Sequence, residues 1–197
     1  HFVIDEADRM FDMGFILDVT KIMNMLPKEK QTMMFSATLD REVMNLADEH
    51  IGDYEVIDVA KEKVELSHIT QQLFYVSKRN KIQLLKDQIK NGPAVQTLIF
   101  TRTKHGADQL ATILMDMKLK VAVIHGNKSQ QQRLRALQGF KANRFEFLIA
   151  TDVAARGLDI PALPRIINYD VPEQADAYIH RMGRTGRAGL TGDVYTY

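Results

Sequence analysis

Short apolar runs alternate with amphipathic stretches along the chain. Phe2-Val3-Ile4 predicts a strand. Over residues 15–26, the apolar positions Ile16, Val19, Ile22, Met23 and Leu26 recur with a period near 3.6. That spacing predicts a helix, and Pro27 closes it. Residues 32–35 predict a second strand, 41–50 a helix and 54–59 a third strand. Residues 60–65, Ala-Lys-Glu-Lys-Val-Glu, are charged and nearly free of bulky apolar side chains, which marks a linker. A second series follows. Its predicted strands are 69–76, 96–100, 121–124, 145–150 and 165–169, with a last strand-like run at 194–197. Its predicted helices are 78–90, 104–117, 130–140 and 175–182. Ala107, Leu110, Ala111 and Leu114 share one face of the second of these, and Ile82, Leu85 and Ile89 one face of the first.

Continuous apolar strands alternating with amphipathic helices predict α/β architecture, parallel sheets covered by helices. Such sheets carry their working residues at the carboxyl ends of the strands. The loops after Ile4, Phe35, Phe100, Ile124, Ala150 and Tyr169 are therefore where chemistry is expected. The pattern divides into a first domain over 1–60, a linker over 61–67 and a second domain over 68–197. Three strands are few for a covered sheet, so the first domain is expected to lack amino-terminal partner strands. The chain starts at His1 rather than Met and ends inside an apolar run, Val194-Tyr195-Thr196-Tyr197. The expectation is a piece of a longer protein, with the second domain truncated at its carboxyl end.

Composition narrows the classes. Apolar residues make up 45% and charged residues 26% of the 197, a globular balance. The net charge of +1 excludes a uniform polycation but leaves room for a local basic groove. No cysteine occurs, which removes disulfides, thiolate metal sites and thiol catalysis, and is compatible with a cytoplasmic protein. No signal peptide or membrane-length apolar run is present.

Three segments carry candidate chemistry. Val3-Ile4-Asp5-Glu6-Ala7-Asp8 runs a strand into three carboxylates, a donor set suited to Mg²⁺, which prefers oxygen and keeps waters. Such a run also fits a solvated helix start favoured by the helix dipole. Ser36-Ala37-Thr38 follows the next strand and also fits an ordinary turn with a helix cap. In His180-Arg181-Met182-Gly183-Arg184-Thr185-Gly186-Arg187, arginines recur every third residue between glycines that suggest an ending helix. Guanidinium forks suit phosphate oxygens; a basic surface loop is the plainer alternative.

Taken together, the segments resemble the DEAD-box ATP-dependent RNA helicases, over essentially the whole chain. Asp5-Glu6-Ala7-Asp8 matches the family's signature and Ser36-Ala37-Thr38 its coupling motif. The resemblance implies two RecA-like domains, ATP and Mg²⁺ as cofactors, and RNA as partner through largely sequence-independent backbone contacts. It implies that Asp5 holds Mg²⁺ through water, that Glu6 positions the attacking water, and that Asp8 helps join the nucleotide site to the second domain. Ser36 and Thr38 would couple hydrolysis to unwinding. Arg184 and Arg187 would contact ATP from the second domain, and His180 would bridge to the first, with Arg181 structural or interdomain.

Thr151-Asp152-Val153-Ala154-Ala155-Arg156-Gly157-Leu158-Asp159 looks like the family's fifth motif. By that resemblance Thr151 and Gly157 contact RNA phosphates and Asp159 the nucleotide ribose, while Asp152 and Arg156 brace the loops. Thr101 and Arg102 resemble a fourth motif lying near the RNA backbone. In Ile124-His125-Gly126-Asn127-Lys128-Ser129-Gln130, Gly126 would lie beside a phosphate, with Gln130 and Arg133 supporting the groove. Arg9, Met10, Asp12, Met13, Gly14 and Phe15 point toward RhlE-like members. The implied activity is RNA-stimulated ATP hydrolysis coupled to local unwinding of short duplexes.

The departure from the family is an absence. No G-x-x-x-x-G-K-[ST] phosphate loop occurs, nor do the adenine-recognising glutamine segment and the early RNA-binding motifs. The chain alone is expected to lack ATPase activity, with the upstream part of the first RecA-like domain as its missing partner. Absent tails would choose any protein partners; no membrane partner is expected. The competing readings are a DNA-acting ATPase of the same superfamily and a non-catalytic RNA-binding helicase-like module. A dinucleotide-binding dehydrogenase is disfavoured because no G-x-G-x-x-G occurs.

Overall fold

The computed structural model describes residues 1–12, 14–58, 68–155, 160, 162–186 and 190–197, the side chains of Asp12 and Asp176 excepted. The chain divides into two compact units, His1–Ala60 and Lys61–Tyr197. The predicted linker, 61–67, lies outside the described residues.

In the first unit, β1 (Phe2–Ile4) pairs in parallel with β2 (Thr32–Met34). Helices α1 (Ala7–Asp12), α2 (Ile16–Met25) and α3 (Arg41–His50) accompany them. Ile4, Ala7, Met23 and Val43 are buried together and form its small core. Asp40 starts α3 by accepting the Val43 N–H on its side chain at 2.9 Å, satisfying one donor the helix cannot. The strand expected at 54–59 is not found. No strand pairing occurs over 54–58, where Val56 and Ile57 are exposed, and Val59 lies outside the described residues. An apolar run becomes a strand only where a neighbour takes its backbone groups, and none among the described residues does so.

The second unit is a six-stranded parallel sheet in the order β3-β8-β7-β4-β6-β5. The strands are β3 (Ile69–Leu73), β4 (Thr97–Phe100), β5 (Val121–Ile124), β6 (Phe147–Ala150), β7 (Arg165–Asn168) and β8 (Gly192–Thr196). Every residue of β4, β6 and β7 is buried, as their unbroken apolar runs require in a sheet covered on both faces. Successive residues serve opposite faces. Leu98 and Phe100 join a core with Leu148, Ala150 and Phe140, whereas Ile99 and Ile149 join Leu85, Ala107, Leu110 and Leu114.

The helices are α4 (Lys81–Asn91, preceded by a 3-10 turn Lys78–Asn80), α5 (Lys104–Asp116), α6 (Gln130–Lys141), α7 (Asp152–Ala155) and α8 (Ala175–Met182). Thr103 caps α5 through Gly106 N–H, and Ser129 with Gln132 forms a reciprocal capping box on α6. These caps fix where the loops after β4 and β5 become helix. The short helices α1 and α7 carry too few residues to show a period and were not among the predicted elements.

Candidate functional site

Most of the candidate residues sit at the carboxyl ends of the strands, as the sheet rule requires, whereas Gln130 and Arg133 lie on α6, and His180 and Arg184 lie in and just after the last turn of α8. In the first unit, Asp5 and Glu6 are exposed directly after β1. Asp5 Oδ1 accepts the Glu6 N–H at 3.0 Å. Glu6 has φ of 54°, a left-handed conformation uncommon outside glycine, and its carbonyl accepts the Arg9 and Met10 N–H groups that begin α1. Backbone strain of this kind costs about 1–3 kcal/mol and collects at functional turns.

The acidic turn is tied to the turn after β2. Asp8 N–H donates to Ser36 Oγ at 3.3 Å, and Ala7 N–H donates to the Phe35 carbonyl at 3.0 Å. Thr38 Oγ1 lies 3.4 Å from Asp40 Oδ2, to which it donates. Asp8 Oδ1 is buried and accepts no hydrogen bond. Among the described residues no cluster of three or more His, Asp or Glu side chains could enclose a metal ion. Exposed Asp5 and Glu6 fit instead an ion that keeps its water shell.

In the second unit, one guanidinium organises the ends of three strands. Arg181, in the last turn of α8, is 3% exposed. Its Nε and Nη2 donate to Asp152 Oδ1 and Oδ2, both at 2.6 Å. Its Nη1 donates to Asn168 Oδ1 at 3.0 Å and to the Asp170 carbonyl at 2.7 Å. The guanidinium also lies 4.8 Å from the Phe100 ring centroid. Arg181 is thus structural, and Asp152 braces the loop after β6. Beside them is a cleft of about 400 Å³ lined by Arg102, Thr151, Asp152, Val171, Glu173 and Gln174, among others.

Thr151 is largely buried at this cleft, and Arg102 is exposed at its rim. Thr101 is 1% exposed, with its hydroxyl donating to the Thr103 carbonyl at 3.4 Å. Asp170 holds the Arg102 backbone: its Oδ2 accepts the Arg102 N–H at 3.0 Å, while Oδ1 takes Lys81 Nζ at 3.2 Å. Arg133 donates to Gln130 Oε1 and to the Ala154 carbonyl, both at 3.2 Å, tying α6 to α7. Gly126 and Gln130 are exposed after β5.

The arginine-rich segment leaves α8 at Gly183. His180 is exposed and Arg184 half-buried. Thr185 Oγ1 donates to the Leu163 carbonyl, and Leu163 N–H to the Arg184 carbonyl at 2.9 Å. Gly186 has φ of +65°, and a Cβ there would stand 2.5 Å from Ile69 Cγ1, so the turn requires glycine. Arg156, Gly157, Asp159 and Arg187 lie outside the described residues.

Sequence reading passed over Asp170, Lys81, Asn168 and Asp108. Asp170 was legible by the same rule that singled out Asp5 and Asp152, a carboxylate just past an apolar parallel strand. Asp108 of α5 has its carboxyl held below the ordinary value, chiefly by the hydrogen bond from His125 and also by Lys128. Nothing in the spacing of residues 108, 125 and 128 announces that cluster.

Residues 1–46 match the family model for the DEAD/DEAH box helicase, and residues 80–189 that for the helicase conserved C-terminal domain. The chain is similar to the crystal structure of a DEAD box protein from Methanococcus jannaschii at 41% identity, with a TM-score of 0.64. That match covers 99% of this chain and 52% of the other. It is similar at 32% identity to Dbp5 of S. cerevisiae bound to RNA and ADP BeF3, with a TM-score of 0.83 and coverage of 99% and 52%. A yeast DEAD-box splicing factor, Prp28, matches at 34% identity with a TM-score of 0.63, covering 98% of this chain and 44% of that one. The chain therefore spans about half the length of these relatives. With the two family models in the expected order, one over the carboxylates after β1 and the other over the arginine segment that ends α8, the chain belongs to the DEAD/DEAH box helicase family.

Proposed function

We propose that the complete protein hydrolyses ATP in response to RNA and uses the cycle to melt short RNA duplexes locally. The observation that carries this reading is the bond from Asp8 N–H to Ser36 Oγ. It joins the acidic turn, where hydrolysis would occur, to the Ser36-Ala37-Thr38 turn, where coupling to RNA would begin. RNA and a nucleotide analogue are bound together by Dbp5, a relative of 32% identity, which supports the same pair of ligands here.

Each residue has a task in this reading. Asp5 would hold Mg²⁺ through its water shell, and the ion would supply charge neutralisation at the phosphates. Glu6 orients the attacking water and takes its proton, with its carboxylate presented by the left-handed turn. Arg184 stabilises charge on the transferred phosphoryl group, joined by Arg187. Asp159 accepts from the ribose. Thr101, Arg102, Gly126, Gln130, Arg133, Thr151 and Gly157 hold or support the RNA backbone. Phosphate contacts of this kind carry no base code, so binding is insensitive to sequence and sensitive to salt. The phosphate loop that ATP also needs is not in these 197 residues.

The test uses the complete protein containing this chain. ATP turnover is measured with RNA, with DNA and with neither. RNA alone should stimulate, and Glu6→Gln and Arg184→Ala should each lower turnover by at least about 10²-fold. Equal stimulation by DNA favours a DNA-acting motor. Unchanged turnover in Glu6→Gln overturns the assignment of the water-positioning carboxylate.

A further inference from the structure

We infer that Asp108 and His125 are positioning residues that shape the Gly126–Lys128 turn to receive an RNA phosphate. The inference rests on the RNA reading above and assigns a role to residues that reading leaves unused. His125 is the first residue past β5 and is 1% exposed. Both ring nitrogens have a polar neighbour, Nδ1 through a hydrogen bond and Nε2 through a close contact. Nδ1 accepts the Asn127 N–H at 3.2 Å, so it carries no proton. The ring's N–H is therefore at Nε2, which lies 2.9 Å from Asp108 Oδ1. Lys128 Nζ lies 2.9 Å from the same oxygen.

The backbone of the turn is closed by Lys128 N–H donating to the His125 carbonyl at 3.0 Å. Asn127 Oδ1 accepts from Lys104 Nζ at 3.0 Å. Both flanks of the turn are thus gripped by α5 and by the buried ring. Gly126 stands between them, exposed, at an ordinary φ, with nothing within 4 Å of where a Cβ would be. The chain's own packing does not need glycine there, whereas close approach of a ligand to that backbone does. Two ammonium groups, Lys104 and Lys128, flank this opening and add charge complementary to a phosphate.

The experiment uses this chain, a fluorescent single-stranded oligouridylate and amide hydrogen exchange at Asn127, each at pH 8. His125→Asn keeps an acceptor at the δ position, and His125→Gln keeps only a donor reaching toward Asp108. The unsubstituted chain and His125→Asn should protect Asn127 at pH 8 and bind within about twofold of each other. His125→Gln should lose that protection and bind about three- to tenfold more weakly, the scale of one hydrogen bond. Asp108→Ala, a change at a half-exposed side chain, should loosen Asn127 partially without unfolding the unit. If the chain binds and His125→Gln binds equally well, or Asn127 stays protected in it, the positioning role is overturned. If the unsubstituted chain binds no oligouridylate, the RNA reading fails and the inference falls with it.

Discussion

Removing the carboxylate of Asp152 should destabilise the second unit more than removing its partner does. Arg181 is buried with two 2.6 Å bonds to Asp152, and Asp152→Ala leaves its charge in place without the counter-charge. A buried ion pair broken from one side costs about 3–5 kcal/mol. Asn168 Oδ1, the Asp170 carbonyl and the Phe100 ring remain to hold the guanidinium, which sets the expected loss near the lower bound, about 3 kcal/mol. At about 4 °C per kcal/mol for a domain of this size, the melting temperature falls by about 12 °C. Arg181→Met removes the buried charge itself. The carboxylate it orphans is 29% exposed and can be hydrated, so the loss is about 1–2 kcal/mol. Urea unfolding followed by circular dichroism at 222 nm reads both values, since the chain has no tryptophan to report. An Asp152→Ala loss under about 1 kcal/mol, or Arg181→Met proving the more damaging, refutes the argument from an uncompensated buried charge.

Gly186→Ala should cost about 1–3 kcal/mol, because it combines a left-handed backbone with a Cβ 2.5 Å from Ile69 Cγ1. The companion change Ile69→Ala should return only the steric part, as measured by a double-mutant cycle. Burial holds the Tyr197 phenol well above its ordinary value of 10.0. Its contribution is therefore complete below pH 10 and is lost as the pH rises beyond it, when the unfolded chain ionises and the folded chain does not. Tyr197→Phe should flatten the alkaline limb of stability against pH, and an unaltered limb counts against the assignment. Residues 1–58 should exchange amide hydrogens much faster than 68–186, because Ile4, Ala7, Met23 and Val43 are the small core of the first unit. Equal protection across both would contradict that.

How much was legible follows from what each signal measures. Residues 41–50, 121–124 and 175–182 were bounded correctly because a cap, a β-branched run and a glycine punctuate them. The run at 54–58 has the composition of a strand, but pairing is a property of the neighbour and not of the run. The exposed turn at Asp5 and Glu6 announced itself because carboxylates follow an apolar strand. Its link to Ser36 could be guessed only from resemblance, since the two turns meet through the register Ile4 to Met34. The triplet 181, 184 and 187 looked uniform in sequence. Packing separates it, burying Arg181 under Asp152 while α8 ends before Arg184. The tautomer of His125 depends on a backbone N–H two residues on and a carboxylate seventeen residues back, which no periodicity encodes.

Ile69 opens β3, and its side chain fills the space that a Cβ on Gly186 would take. Bulk at position 69 and bulk at position 186 are therefore alternatives: the first strand of the second sheet keeps its isoleucine only because the turn beyond α8 carries no side chain where the two meet.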